Sequence, residues 1–282
     1  MVLACALFTV MSVAARFGAR KLPWAELALA RSAFGLAVAV GVAKLRGASL
    51  AVESRGLTLG RSALGTVSLV STFYVLAQPA LPLGDVSALL ATSPIIIALL
   101  APLTLGEPTS PRTWLSVALC FVGLVVVVQP KLDVAGHLAA ICALASSSTA
   151  IAMLFLRRLG RSESPEAVAA NFAALATIVT LALAWPELRW AHLESLPWLA
   201  ATGVSAGLGQ LAMTRAYALD DAARVGAVSY SGTVMTQLAA IALLGEPASA
   251  STVLGTALIV AGGLVLSMDA LRRLAARAAA AA

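Results

Sequence analysis

Charge is what this sequence has least of. Only 11% of its 282 residues are Asp, Glu, Lys or Arg, where a soluble domain carries about 25%. A water-soluble fold would therefore be left without enough polar surface. With 60% hydrophobic residues and a mean hydropathy of +0.94, the chain reads as an integral membrane protein. Histidine is nearly absent: there are two, His137 and His192, and no HExxH pattern. The three cysteines, Cys5, Cys120 and Cys142, lie inside apolar runs without metal-like spacing, where small buried hydrophobes belong. No glycine loop is built to cradle a phosphate. Neither a metal nor a cofactor is expected, and no catalytic residue is assigned. The net charge of +6 comes without a basic stripe interleaved with aromatics, so no nucleic acid partner is expected. The first apolar run, 1–15, has no basic residue before it, and Arg16, Arg20 and Lys21 follow it. That is the wrong flank for a secretory signal. It reads as a short first span, because a full one needs about 20 residues. Either it is tilted at a thin edge or the natural start lies upstream.

What the chain does have is apolar length. Ten runs can be drawn, at about 1–18, 25–43, 61–78, 85–105, 113–129, 134–156, 166–185, 196–216, 223–244 and 251–268. Short links rich in proline, glycine and charge separate them. In lipid every backbone polar group must be satisfied internally, which leaves helices or a closed barrel. The runs are solidly apolar rather than alternating, which favours helices. Placing the N-terminus in the cytoplasm puts thirteen Lys and Arg on that side (Lys44, Arg46, Arg55, Arg61, Arg112, Arg157, Arg158, Arg161, Arg215, Arg224, Arg272, Arg273, Arg277) and five on the other (Arg16, Arg20, Lys21, Lys131, Arg189). Arg31 is left inside a span. The bias puts both termini in the cytoplasm of a multi-pass inner-membrane protein.

One phrase occurs twice. Leu105-Gly106-Glu107-Pro108 ends one run, and Leu244-Gly245-Glu246-Pro247 ends another 139 residues later. The same shift lays 64–129 on 203–268 without a gap, so that Ala77 meets Ala216, Val86 meets Val225, Ala88 meets Ala227 and Gly123 meets Gly262. A shift of 140 puts Glu26 on Glu166 and Arg31 on Asn171. The chain divides into halves 1–130 and 131–282, the second ending in a short cytoplasmic tail. Five spans per half is an odd number, so the halves face opposite ways, as in transporters built from inverted repeats.

Thr72-Phe73-Tyr74, Pro82-Leu83-Gly84-Asp85, Thr92-Ser93-Pro94, the Leu-Gly-Glu-Pro phrase and Gly123 carry a resemblance across the first half, with Pro23 and Arg31 before them. Gln210, Arg215-Ala216-Tyr217, Ser229-Tyr230, Gly245-Glu246-Pro247 and Gly262-Gly263 carry it across the second. The chain resembles the EamA-type transporters of the drug/metabolite transporter superfamily. That resemblance implies a ten-helix all-α basket around a central cavity, working by alternating access. The cargo it implies is a small organic molecule, moved by proton or solute exchange without ATP and in many members exported.

Candidate residues follow from polarity inside the spans. Arg31 lies about six residues into the second run; there a charge costs roughly 2.5–3.5 kcal/mol on insertion scales, so it should face the protein interior or water. Snorkelling to the outer headgroups, substrate recognition and an interior pair with Asp85 remain open. Tyr74, Gln78, Thr92, Ser93, Gln210, Tyr217, Tyr230, Thr233 and Gln237 are the expected cavity lining, with Tyr230, Thr233 and Gln237 on one helical face. Pro94 cannot donate to the Leu90 carbonyl, which predicts a kink there. Glu107 and Glu246 have two readings. Gly followed by Pro is a helix stop, with Ser110 capping the next helix; or the carboxylates serve gating and coupling, together with Asp85. The glycines at 35, 203, 207 and 262 read as close helix packing. A membrane acyl- or phosphotransferase would need a cluster of His, Asp or Ser at one face, and none is evident. The leading expectation is a secondary transporter of a small metabolite, partnered only by that solute and the bilayer, as monomer or homodimer. A lipid flippase of the same fold is the alternative.

Overall fold

The computed structural model describes residues 1–78, 83–90, 92–107, 109–128, 136–188, 195–245, 250–251, 253–255, 257–262 and 265. Regular structure among them is all helical. The helices are α1 (Val2–Gly18), α2 (Trp24–Arg46), α3 (Arg55–Leu76), α4 (Leu83–Leu90), α5 (Ser93–Leu105), α6 (Pro111–Val128), α7 (Gly136–Leu159), α8 (Pro165–Ala184), α9 (Leu196–Leu219), α10 (Ala222–Val228) and α11 (Tyr230–Leu244). A last apolar helical stretch covers Val253–Gly262. Among the described residues, five stretches are long and apolar enough to cross a membrane: Trp24–Arg46, Arg55–Leu76, Gly136–Leu159, Pro165–Ala184 and Ala222–Leu244. Large apolar side chains such as Leu103, Ile178 and Val253 face outward, as lipid rather than water requires.

The fourth and ninth runs are each broken in two. The first break falls between Leu90 and Ser93, where Pro94 lacks the N–H that would continue the ladder. The carbonyl served at this break is that of Leu89, one residue before the expected acceptor. It accepts from the hydroxyls of Ser146 at 3.1 Å and Thr92 at 3.2 Å, the kind of side-chain rescue a broken helix needs in lipid. The second break, at Ser229, has no proline. Its hydroxyl donates back to the Gly226 carbonyl at 2.5 Å. Ser229 lies 139 residues after Leu90, so the two interruptions occupy matching places.

The repeated phrase is a helix stop in both copies. Gly106 ends α5 at φ 66° and Gly245 ends α11 at φ 71°. This is the left-handed region that glycine adopts without steric cost. The Ser110 hydroxyl then accepts from the Thr113 amide at 3.2 Å, capping α6 behind Pro111 as expected.

Helices of one half pack chiefly on helices of the other. α1 lies against α9 and α11, and α3 against α7 and α8. α2 lies against α8 and α9, α5 against α7 and α10, and α4 against α11. Exchanging the halves maps this set of pairs onto itself, α2 and α8 trading places with each other. The reciprocity reaches single residues. A methyl group at Gly123 would sit 2.6 Å from the Gly255 carbonyl oxygen and 2.9 Å from the Ile259 nitrogen. One at Gly262 would sit 2.5 Å from Cys120 Sγ and 2.9 Å from the Ser116 carbonyl oxygen. Residues 116 and 255, 120 and 259, and 123 and 262 are all 139 apart. The Cys120 thiol donates to the Ile259 carbonyl at 3.6 Å, so a residue bonds its own counterpart. On α9, Gly203 and Gly207 allow α2 to approach: methyls there would meet Phe34 Cβ at 2.3 Å and Val38 Cβ at 2.9 Å.

Candidate functional site: a divided chamber with two unpaired arginines

Two chambers of about 230 Å³ each lie among these helices. They share Phe8, Thr149, Met153 and Met213 as common wall. Together they come into the size range of small-molecule sites, about 300–1,000 Å³. The first chamber is bordered by α1, the end of α3, α4, α5, α7, α9 and α11, with Ser229 at the second break, and it presents hydroxyls of Thr9, Ser12, Ser93, Thr149, Thr233 and Thr236. The second lies among α1, α2, α3, α7, α8 and α9 and is lined by Arg31, Arg61, Ser68, Thr72, Phe172 and Gln210.

The two arginines define the second chamber. Arg61 is 1% exposed, and its Nε and one terminal nitrogen have no hydrogen-bond partner. Arg31 also makes no hydrogen bond or ion pair among the described residues. Instead both guanidinium groups sit on one ring: Arg61 lies 4.2 Å and Arg31 5.1 Å from the centroid of Phe172. Cation–π attraction contributes about 0.5–2 kcal/mol per pair. Holding an arginine in a membrane span costs roughly 2.5–3.5 kcal/mol. The ring therefore does not offset two such charges. Gly65 makes room for them, since a methyl there would lie 2.3 Å from Arg61 and 2.9 Å from Phe172. No Asp, Glu or His is among the described residues lining either chamber.

Of the residues expected to line a cavity, Arg31 and Gln210 border the second chamber, and Ser93, Tyr217 and Thr233 the first. Arg31 faces the chamber and Phe172 rather than snorkelling. The others are placed elsewhere. Tyr74 packs edge-on against Trp24 at 5.6 Å, and Gln78 donates to the Tyr74 carbonyl at 3.1 Å. Thr92 serves the broken helix. Tyr230, Thr233 and Gln237 are all buried, but only Thr233 reaches a chamber; Tyr230 packs with Cys120 and Ile259. Asp85 lies on α4, with its side chain outside the described residues, and Glu246 lies wholly outside them.

Arg61 escaped the sequence reading, which counted it as a loop charge at the start of the third run. Helix α3 begins six residues earlier, at Arg55. The signal available was local: Gly65 and Ser68, four and seven residues after Arg61, keep its own helical face small. Asn171, the counterpart of Arg31, is satisfied locally by the Ala167 carbonyl at 2.9 Å and the Leu50 carbonyl at 3.3 Å.

At one end of the bundle the helix ends are laced by charge. Glu107 accepts from Arg157 at 2.7 Å, from Arg161 at 3.2 Å and from the Ala222 amide at the start of α10 at 3.0 Å. Arg157 also donates to the Tyr217 and Ala218 carbonyls, each at 3.1 Å. Beside them Arg215 meets Glu166 at 2.6 Å, and Glu163 accepts from the Glu53 and Ser54 amides at 2.9 and 2.7 Å. At the other end Arg16 caps α3 through the Leu76 and Gln78 carbonyls, at 2.8 and 3.1 Å.

A profile of the EamA-like transporter family matches residues 1–129 and 135–268. The chain belongs to this family. It is 30% identical over 268 residues to a pseudopaline exporter of Pseudomonas aeruginosa, covering 94% of each chain. It is 27% identical over 243 residues to a riboflavin transporter of Vibrio cholerae, covering 85% of this chain and 81% of that one. A solved crystal structure shares the fold at a TM-score of 0.79, with 18% identity and 95% of this chain covered. Membership of the EamA-like family, with its drug/metabolite transporter relatives, and the apolar helices make the chain a multi-pass membrane transporter.

Proposed function

We propose that the chain is a secondary transporter that carries a small organic metabolite across the inner membrane by alternating access. The observation that carries this reading is the divided chamber, which lies between helices of both halves and holds two unpaired cations. In this account residues 1–130 and 131–282 are two inverted five-helix repeats. The reciprocal glycine contacts and the paired helix breaks support that arrangement. Both termini lie on the side of the Glu107 cluster, which is taken as cytoplasmic because the basic residues gather there. Glu107 ties α5 to α7 and α10 across the halves and so acts as the inner gate, with Glu246 as its counterpart at the outer side. Energy comes from a proton or an exchanged solute. One chain supplies both halves, so a monomer suffices.

The test is solute flux in liposomes. Relatives named for pseudopaline and riboflavin make these two compounds the first cargoes to try, within a wider panel of metabolites. Wild-type protein should move a solute down an imposed gradient faster than protein-free vesicles do. Arg31→Ala should lower that rate by about tenfold, the effect of losing one charged hydrogen-bonding partner. Unchanged flux in Arg31→Ala would remove Arg31 from the mechanism.

A further inference from the structure

We infer that the second chamber is an oxyanion site: the cargo carries a carboxylate or phosphate group that Arg31 and Arg61 grip together. The inference rests on the transport reading and deepens it. Its first support is Arg61, a fully buried guanidinium with two polar nitrogens unsatisfied and its charge on the chamber wall. A buried guanidinium without a partner is costly, and the missing partner is the complement of what is there. Arginine presents a planar fork that matches carboxylate and phosphate oxygens. The second support is placement. Both guanidinium carbons lie near the same Phe172 ring, so they are at most about 9 Å apart, within reach of one acid group or of two on a small molecule. The third is composition. No carboxylate among the described lining residues would neutralise the pair or welcome a cation.

The same walls say where the rest of the molecule goes. Phe8, Met153 and Met213 connect the two chambers, and methionines adapt to apolar bodies of varied shape. The acid group sits in the second chamber and the apolar or aromatic body passes these residues toward the hydroxyls of the first. Gln210, in the same lining, supplies an amide for a neighbouring polar group.

Matched probes test this on the full-length protein in lipid nanodiscs. The probes are benzoate, isophthalate and phenyl phosphate, with benzamide, isophthalamide and benzyltrimethylammonium as uncharged and cationic controls. Binding is read by calorimetry and by thermal stabilisation. The acids should bind at least about tenfold tighter than their amides. That preference should vanish in Arg61→Gln and partly survive in Arg31→Lys. Equal binding of acid and amide, no binding of any acid, or tighter binding of the cation overturns the inference. The wild-type comparison needs no variant to fold. Flux in liposomes separates the two levels. Movement of neutral or cationic solutes but not acids defeats the oxyanion site alone, whereas no movement of any solute defeats the transport reading itself.

Discussion

Arg61 shows how a single residue separates stability from function. Its buried guanidinium is held by one aromatic ring and by the space that Gly65 leaves, and both stabilise it less than desolvation costs. Removing the charge while keeping the volume should therefore relieve the fold. Arg61→Met is expected to raise thermal stability in detergent by about 2 kcal/mol while lowering solute flux. A purely structural arginine would give the reverse, with the variant unfolding earlier. Arg31 was legible in the sequence because apolar residues surround it on both sides. Arg61 was not, because a hydropathy window treats a charge near the end of an apolar run as the end of the run. Only the placement of α3 from Arg55 onward carries it inside. Likewise Tyr230 and Gln237 share a helical face with Thr233, but sequence spacing says nothing of what that face meets.

At the scale of elements, the broken helices and their stops position everything else. The α4–α5 break was legible through Pro94. The α10–α11 break was not, since nothing in Val228-Ser229-Tyr230 forbids a continuous helix; tertiary contacts there include the Cys5 thiol at 3.8 Å from the Ser229 carbonyl. The repeated Leu-Gly-Glu-Pro was legible as a helix stop, and its two glycines do adopt left-handed backbone. What the spacing could not show was the company Glu107 keeps. Its carboxylate is largely buried beside Arg157 and also receives an amide at the start of α10, where a negative charge suits the helix dipole. A double-mutant cycle on Glu107→Gln and Arg157→Met, read by thermal unfolding, should give a coupling of about 1–2 kcal/mol. Additive effects would mean that the pair does not hold α5 to α7.

For the whole molecule, the composition already dictated a helical membrane protein, and the 139-residue register already matched Gly123 with Gly262. In the fold each of these two glycines meets the 139-shifted counterparts of the residues that meet the other. The contents of the cavity could not be reached the same way, because its walls come from helices of both halves, so no local pattern describes it. The central claim is that the chamber between the halves opens alternately to the two sides. Thr149, in the wall common to both chambers, is the position that reports on it. With Cys5, Cys120 and Cys142 replaced by alanine, Thr149→Cys can be challenged with a membrane-impermeant maleimide from either face of oriented vesicles. Labelling from both faces, with its balance shifted when a transported solute is imposed from one side, is the predicted result. Labelling from one face only, whatever the solute gradient, would contradict the account.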